Sequence, residues 1–365
     1  MIRVAFGIAM GIVASALIVF VFGAAFAGGK PGATLVPEDA SGHLRRIAIH
    51  YAPAMDARAM PVWRELFRVL PADVAVEVAV ARREDFDRFV VGMRAEGIAE
   101  TRFRAVVVGH PITTWSRDRM AALATPSGGS VLAPPRVSTV SGARAGDWEA
   151  PFALAREVYQ ARPQIAELVF EGGDLAASKR YVFADANLIG RNLGRGDATR
   201  AHLEGVLERT FDQEIVWLGD AQGDVPEHHI MMYMVPLDDH EVLVGDVRRG
   251  RELAPDLDAD EDLELHAARF DRVAAQLAAR GFTVRRVPVV VLPGAGSYVT
   301  YTNALFDRDA TGPIVYLPTY SQPALDREAT LLYESLGYRV IPIDVTSVYR
   351  LNGSLGCLVN VMARD

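Results

Sequence analysis

The chain contains a single cysteine, Cys357, in the stretch NGSLGC (352–357) close to its end. One cysteine cannot form an internal disulfide, so it is either a small buried apolar residue or a reactive thiol. A nucleophilic thiol needs a base or cation beside it, which a histidine supplies. That histidine in turn needs a carboxylate to orient its ring. The thiol interpretation therefore predicts histidine and acidic motifs elsewhere in the chain.

Three other stretches carry these residue types: TTWSRD (113–118), FEGGD (170–174) and PEHHIMMYM (226–234). Taken singly, each has a simpler explanation: a surface ion pair, an ordinary glycine turn and a pair of histidines in a strand. Adjacent strand residues face opposite sides, and no H-E-x-x-H motif or cysteine pair accompanies the histidines. We therefore expect no metal site and no cofactor.

Taken together, the four stretches supply a complete set of reacting groups. Cys357 is a candidate nucleophile, His229 a candidate base, and Glu171 and Asp118 are candidate acids that could orient the histidine or contact a substrate. Asp118 is an acid that can accept the N–H groups of a cationic planar substrate. These residue types favour attack of a thiol on a planar cationic carbon.

The elements that must position these residues form a repeating pattern along residues 45–365. Pairs of short apolar strands are followed by an amphipathic helix and a further strand, and this order recurs several times. The pattern differs from simple βαβ alternation and suits radial repetition around a centre. Two of the predicted strands, 115–124 and 228–237, carry site residues. We predict a single α/β domain in which distant motifs converge on one central cleft.

The ordered motifs WSRD, EGGD, the histidine strand and the late GSLGC resemble those of the guanidino-group modifying enzymes. This superfamily includes agmatine deiminases, arginine and peptidylarginine deiminases and amidinotransferases. The resemblance implies the pentein fold, a five-bladed ββαβ propeller. It also implies that Cys357 attacks the guanidinium carbon, that His229 protonates the departing amine and then activates water, and that Glu171 orients His229. Asp118 would bind the guanidinium, with Trp115 in the same motif.

One position departs from the family pattern. The family's histidine strand reads His-x-Asp, and here the corresponding residues are His229, Ile230 and Met231. Residues 229 and 231 of a strand share a face, so Met231 would point into the cleft in place of a substrate-binding acid. A thioether cannot replace a carboxylate as an acceptor. Asp174 is a candidate for the missing acid; otherwise the substrate is less cationic or the protein only binds a ligand.

Composition and the N-terminal segment indicate which partners and which location to expect. The chain has 38 basic and 46 acidic residues, a net charge of −8, which argues against nucleic acid as a partner. Residues 4–27 are apolar and long enough to span a bilayer, and they end in an A-x-A pattern. We predict a signal peptide or membrane anchor over 1–29, a linker over 30–44 and a catalytic-type domain over 45–365. The domain would then lie outside the cytoplasm, touching a membrane only through 4–27 if this segment is not cleaved.

The predicted function is that of an extracytoplasmic deiminase-like C–N hydrolase acting on a guanidino or related amidino group. The substrate is a small molecule or a peptidyl arginine, which these motifs do not distinguish, and they leave the oligomeric state open. Two alternatives share the same residues: a non-catalytic pentein that binds a ligand, and an amidinotransferase that passes the amidino group to an amine.

Overall fold

The computed structural model describes residues 32–136, 142–194, 198–294 and 296–365. The predicted signal peptide or anchor, residues 1–29, lies outside these ranges. The strands in chain order are β1 Thr34–Leu35, β2 Leu44–Tyr51, β3 Ala75–Val80, β4 Phe103–Val107, β5 Ala121–Ala124, β6 Ser130–Ala133, β7 Ala176–Ala177, β8 Tyr181–Asp185, β9 Glu214–Leu218, β10 Met234–Pro236, β11 Glu241–Asp246, β12 Thr283–Val291, β13 Tyr298–Thr300, β14 Leu305–Asp309, β15 Gly312–Thr319, β16 Arg339–Asp344 and β17 Asn360–Arg364.

Helices connect these strands. The α-helices are Asp56–Val69, Arg83–Arg94, Ala150–Tyr159, Asn187–Asn192, Arg200–Thr210, Val247–Leu253, Leu263–Ala279, Pro323–Ser335 and Leu355–Leu358. Short 3-10 helices occur at Pro53–Met55, Glu100–Arg102, Gly142–Glu149, Gly172–Asp174, Ile230–Met232 and Tyr349–Leu351. Within the described residues, no helix combines the length and the apolar character that crossing a membrane requires.

The described strands form five small sheets, ordered β1-β5-β6, β7-β8-β9, β10-β11-β12-β13, β14-β15-β16 and β17-β2-β3-β4. Four of these sheets share one construction. An antiparallel pair comes first, a helical segment follows, and the next strand pairs in parallel with the second. This is the strand-strand-helix-strand unit that the sequence predicts. A parallel pair needs such a crossover, because the chain must return to the same end of the sheet.

The sheet β1-β5-β6 departs from this pattern because both of its strand pairs are antiparallel. Residues 164–168 nevertheless run beside the end of β6. The Gln164 amide donates to the Leu132 carbonyl, the Ala166 amide to the Pro134 carbonyl, and the Arg136 amide to the Leu168 carbonyl. Segment 164–168 therefore takes the place of the parallel third strand without forming a regular one.

The last strand, β17, pairs antiparallel with β2, with Asn360 opposite Ala48 and Val361 opposite Ile47. One sheet thus combines strands from the two ends of the described chain. Helix Leu355–Leu358, which carries Cys357, directly precedes β17. This closure brings the late cysteine next to elements formed much earlier in the chain, such as Ser116, whose hydroxyl donates to the Leu358 carbonyl (sequence separation 242).

The described part of the predicted linker, residues 32–44, is packed against the domain. β1 pairs with β5, and the Val36 amide donates to the Ala122 carbonyl. Glu38 is buried and forms an ion pair with the buried Arg117 at 2.5 Å. The linker prediction is therefore wrong here: the Gly- and Pro-rich composition marks an irregular path, but its apolar side chains are buried.

Two predicted strands also differ from the structure. Of 115–124, only Ala121–Ala124 is a strand, because the preceding residues turn to contact other parts of the chain. Of 228–237, only Met234–Pro236 is a strand, and Ile230–Met232 form a 3-10 helix. Apolar composition predicted an extended conformation there, although buried apolar residues occur equally in irregular segments.

Candidate active site

Residues from all four sequence motifs meet at one cavity of about 540 Å³, a size typical of small-molecule sites. Its walls combine acidic, basic and apolar side chains. It is lined by Trp115, Asp118, Arg144, Glu171, Arg191, Glu227, His228, His229, Gly296, Leu351, Asn352 and Cys357. The predicted site residues Cys357, His229, Glu171, Asp118 and Trp115 are in this set, whereas Asp174 and Met231 are not.

Backbone hydrogen bonds connect the motifs directly. The Arg117 amide donates to the Cys357 carbonyl at 3.4 Å, and the Gly172 amide donates to the Asp118 carbonyl at 3.0 Å. The WSRD loop therefore bridges the glutamate motif and the cysteine motif. This explains why residues 115–118 do not continue a strand: their backbone groups bond to other segments.

The two glycines of EGGD permit a close approach. A Cβ atom on Gly172 would overlap the carbonyl oxygens of Arg117 and Met120, and one on Gly173 would overlap the His229 ring. Neither glycine has a positive φ, so the simple turn explanation does not account for them. They are small because the WSRD loop and the imidazole lie directly against the backbone of the glutamate motif.

Glu171 is the most heavily paired acid of the site. One of its oxygens, Oε1, contacts Arg119 Nη1 at 2.7 Å. The other, Oε2, accepts from His229 Nε2 at 3.0 Å and contacts Arg191 Nη2 at 2.9 Å. Glu171 and His229 are both buried, so these bonds form in a low-dielectric environment that strengthens them. The carboxylate fixes the histidine ring, as the sequence predicts.

The same contacts set the protonation of the pair. Burial works against a charged His229, but Cys357, the hydrogen bond to Glu171 and the charge of Asp118 outweigh it and raise the pKa of His229 to about 10. Burial would raise the pKa of Glu171, but His229, Arg191 and Arg119 hold it well below its usual range. At neutral pH the pair is therefore an imidazolium and a carboxylate.

Cys357 is buried beside this imidazolium, and its interaction with the ring is one of those that raise the pKa of His229. It occupies the short helix Leu355–Leu358, and its amide donates to the Ser354 carbonyl. The Asn303 side-chain amide lies 3.4 Å from the Cys357 sulfur. Cys357 and His229 line the same cavity.

Asp118 lines the same cavity and is paired with Arg144. Its Oδ2 contacts Arg144 Nη2, and its Oδ1 is buried and has no hydrogen-bond partner within the described residues. Burial raises the pKa of Asp118, and nearby Glu171 acts in the same direction, whereas His229, Arg144 and Arg119 oppose this rise. Asp118 is positioned to contact a ligand, but an internal guanidinium already lies on it.

Asp174 supports the site from behind. It is buried, its Oδ2 accepts from the Glu171 amide at 2.7 Å, and it contacts Arg191 Nε at 2.6 Å. Its carboxylate therefore orients Glu171 and Arg191 and does not line the cavity. It does not take the place of the missing family acid.

Met231 lies in the hydrophobic core, where its side chain is buried. Because Ile230–Met232 form a 3-10 helix, the strand rule that put His229 and Met231 on one face does not apply. The Met231 carbonyl accepts from the Thr302 hydroxyl. Placing Met231 in the cleft was wrong, since it depended on an extended backbone.

Several cavity residues escaped the sequence reasoning, notably Arg144, Arg191 and His228. His228 has a φ of +74°, and its Nε2 donates to the Asn352 carbonyl at 2.9 Å. Burial and the neighbouring His229 lower the pKa of His228 to about 3, so it is a neutral wall residue. The two arginines lie in stretches without a motif, and no sequence signal distinguishes them from surface arginines.

In this structure, cysteine, histidine and acids meet at one cavity. Comparison with known proteins agrees with the mixed α/β fold. The chain matches the family of Porphyromonas-type peptidyl-arginine deiminases over residues 52–362. It therefore belongs to this family, which places it among hydrolases acting on amidine C–N bonds. No curated protein sequence matches the chain.

Solved structures support the same fold. A substrate-bound cysteine-to-serine variant of the C. jejuni agmatine deiminase is 16% identical, with a TM-score of 0.68, and the match covers 90% of this chain and 96% of that one. An agmatine deiminase of Enterococcus faecalis is 12% identical, with a TM-score of 0.66 and coverage of 93% and 99%. A structure described as a putative peptidyl-arginine deiminase is 13% identical, with a TM-score of 0.66 and coverage of 90% and 98%. At these identities the likeness shows the fold alone.

Proposed function

We propose that the protein is an extracytoplasmic deiminase-like hydrolase that acts on a guanidino or related amidino group through a covalent bond to Cys357. The observation that carries this proposal is the position of Cys357 beside His229, whose Nε2 is held by Glu171 at 3.0 Å. A nucleophile, a proton donor and an orienting carboxylate are thus adjacent and buried. This is the arrangement that nucleophilic catalysis by a thiol requires.

The reaction follows from the protonation of these groups. The Cys357 thiolate attacks the central amidine carbon and forms a C–S bond. Protonated His229 transfers its proton to the departing nitrogen, which leaves as ammonia. His229 then accepts a proton from water as the water attacks the same carbon, and the C–S bond breaks. The products are a ureido compound and ammonia, with the thiolate and the imidazolium restored.

Two structural parts of the proposal concern the setting. The five sheets would be arranged as five blades around the cavity, which is supported by their shared construction and by the convergence of motifs from different sheets. Residues 4–27 would export the domain as a signal peptide or an anchor, which is supported by their apolar composition and their length. A fusion of residues 1–44 to a reporter active only outside the cytoplasm should give signal, and signal from a cytoplasm-only reporter would refute export.

The catalytic part is tested by mass spectrometry after incubation with a panel of guanidino and amidino compounds. We expect a ureido product, ammonia and a covalent adduct on Cys357. Cys357→Ala should abolish turnover, since the chain has no other thiol, and Cys357→Ser is the matched control for side-chain volume. Ligand binding without turnover in the parent protein would support the non-catalytic alternative. Transfer of the amidino group to an added amine, without ammonia release, would support the amidinotransferase.

A further inference from the structure

The guanidinium of Arg144 lies where a substrate guanidinium would be expected. Arg144 Nη2 contacts Asp118 Oδ2, and its Nε lies 3.6 Å from Asp147 Oδ2. Asp147 is itself fixed, because its two oxygens accept from the amide and the hydroxyl of Thr113, each at 2.6 Å. Asp118 and Asp147 are both buried. Arg144 is therefore held between two buried carboxylates at the wall of the cavity.

The other acids of the cavity are paired as well. Glu171 contacts Arg119, Arg191 and His229, as described above. Glu227 contacts Arg269 at 3.2 Å at the more exposed side of the cavity. Each carboxylate that lines the cavity thus already has a cationic partner. A cationic ligand entering this space would meet like charges without a free acid to offset them, and such repulsion is strong where water is excluded.

We infer that Arg144 is a specificity-determining residue that keeps cationic guanidines off Asp118 and favours a weakly basic amidine, bound in its uncharged form, with an acceptor oxygen in a substituent on an amidine nitrogen. The simplest member of this class is an N-acylguanidine. The inference rests on the proposed hydrolase function, because it names the substrate class of the same site. It concerns Asp118 and Arg144, whereas the proposed function depends on Cys357, His229 and Glu171.

Such a substrate matches the groups that remain available. The buried Asp118 Oδ1, which has no partner within the described residues, accepts an N–H of the amidine. Arg144 is 33% exposed and lines the cavity, so its guanidinium donates to the acyl oxygen. Hydrolysis is balanced: an N-acylguanidine and water give an N-acylurea and ammonia, through the same C–S bond to Cys357. Neither step needs a further reactant.

Binding to a catalytically inactive protein isolates this inference from turnover. In the Cys357→Ala background, we would measure binding of agmatine and of acetylguanidine by calorimetry, at an alkaline pH at which only agmatine is cationic. Arg144→Gln should strengthen agmatine binding about 10-fold or more, because Asp118 gains a charge-assisted partner. The same substitution should weaken acetylguanidine binding, because the donor to the acyl oxygen is reduced.

The matched control is Arg269→Gln. It removes the same charge from an arginine that contacts a cavity acid, but it leaves Asp118 untouched. We expect agmatine binding to change less than about 3-fold, a difference under about 1 kcal/mol at roughly 1.4 kcal/mol per tenfold. An equal gain in agmatine affinity in both variants would mean that only the net charge matters, and this would overturn the inference. Unchanged agmatine binding in Arg144→Gln would overturn it as well. If Arg144→Gln does not fold, Arg144→Met serves with the same expectations.

The two proposals fail in different ways. If Arg144→Gln shifts binding as expected but the parent protein forms no ureido product and no Cys357 adduct, the specificity role stands and the hydrolase function is lost. If the parent protein hydrolyses agmatine faster than acetylguanidine and Arg144→Gln does not improve agmatine turnover, the hydrolase function stands and the role of Arg144 is refuted.

Discussion

The two sides of the cavity differ in what their buried acids are paired with. On the Cys357 side, Glu171 accepts a hydrogen bond from His229. On the Asp118 side, the acid faces an internal arginine, and the residue expected to replace the family's second acid, Met231, lies in the core. In the proposed reaction the first side breaks a C–N bond. By our inference, the second side selects the molecule that is placed there.

If both proposals hold, this difference means that the chemistry and the selectivity of one cavity depend on different residues. The Cys357 side depends on the hydrogen bond between Glu171 and His229 and on Cys357, which lines the same cavity, so we expect few substitutions to be compatible with it. The recognition side depends on Arg144, carried by the 3-10 helix Gly142–Glu149, which belongs to none of the sheets. By our inference, a substitution there would change the ligand without disturbing the nucleophile.

The largest expected effect comes from Met231→Asp, which tests whether Met231 belongs to the recognition side. Since the side chain is buried in the core, the substitution would bury an unpaired carboxylate and destabilise the protein by about 3–5 kcal/mol. Urea unfolding followed by circular dichroism measures this loss. Met231→Leu should cost under about 1.5 kcal/mol, because it conserves volume and polarity.

A stable Met231→Asp variant with increased turnover of agmatine would contradict this picture. It would mean that position 231 faces the substrate after all and that the two sides share the acid that the family pattern predicts.

The next expected effect comes from pH and concerns the catalytic side. The pKa of His229 rises from 6.5 to about 10 on folding, so the folded state binds the proton more tightly than the unfolded state. This contribution to stability is fully present below pH 6.5 and is lost as the pH rises toward about 10. Glu171 keeps its two arginines when His229 becomes neutral, so the carboxylate is not left unpaired.

The free energy of unfolding should therefore fall between pH 6.5 and about 10, and urea titrations across this range measure the slope. His229→Gln should show a flatter profile, because the titrating group is gone. The same slope in both proteins would mean that His229 is not held as an imidazolium by Glu171 and Cys357.

The smallest expected effect comes from Gly173→Ala. Its Cβ would overlap the His229 ring, so the ring must shift away from its place between Glu171 and Cys357. We expect kcat for the best substrate of the panel to fall about 10- to 100-fold, as for other small displacements of catalytic groups. Ammonia release measures this loss.

Gly205→Ala is the control for the same chemical change. Gly205 lies in the helix Arg200–Thr210, where an added Cβ meets only the end of Arg209 at an ordinary distance. It should keep its activity and gain slightly in stability, because alanine favours the helix. Unchanged kcat in Gly173→Ala would show that the catalytic side tolerates displacement of its histidine.

Much of the secondary structure followed from local patterns. Strands such as β2 and β3 and helices such as Pro323–Ser335 were predictable, since apolar periodicity is a property of consecutive residues. The segment 228–237 was not, because its apolar residues are buried in an irregular path and periodicity cannot distinguish this from a strand. The burial of residues 32–44 was not predictable for a related reason, since it depends on contacts with β5 and with Arg117.

The sequence by itself determined the inventory of chemistry: one thiol, a histidine and the acids Glu171 and Asp118, in an order that identifies the family. These groups are recognisable because each lies in a motif of adjacent residues. Only the tertiary structure decided how they are paired. Arg144 contacts Asp118 from a separate segment of the chain, and Met231 is buried by residues from other segments. No local pattern specifies such contacts. The catalytic groups could therefore be named from the sequence, whereas the guanidinium already resting on Asp118 became visible only in the fold.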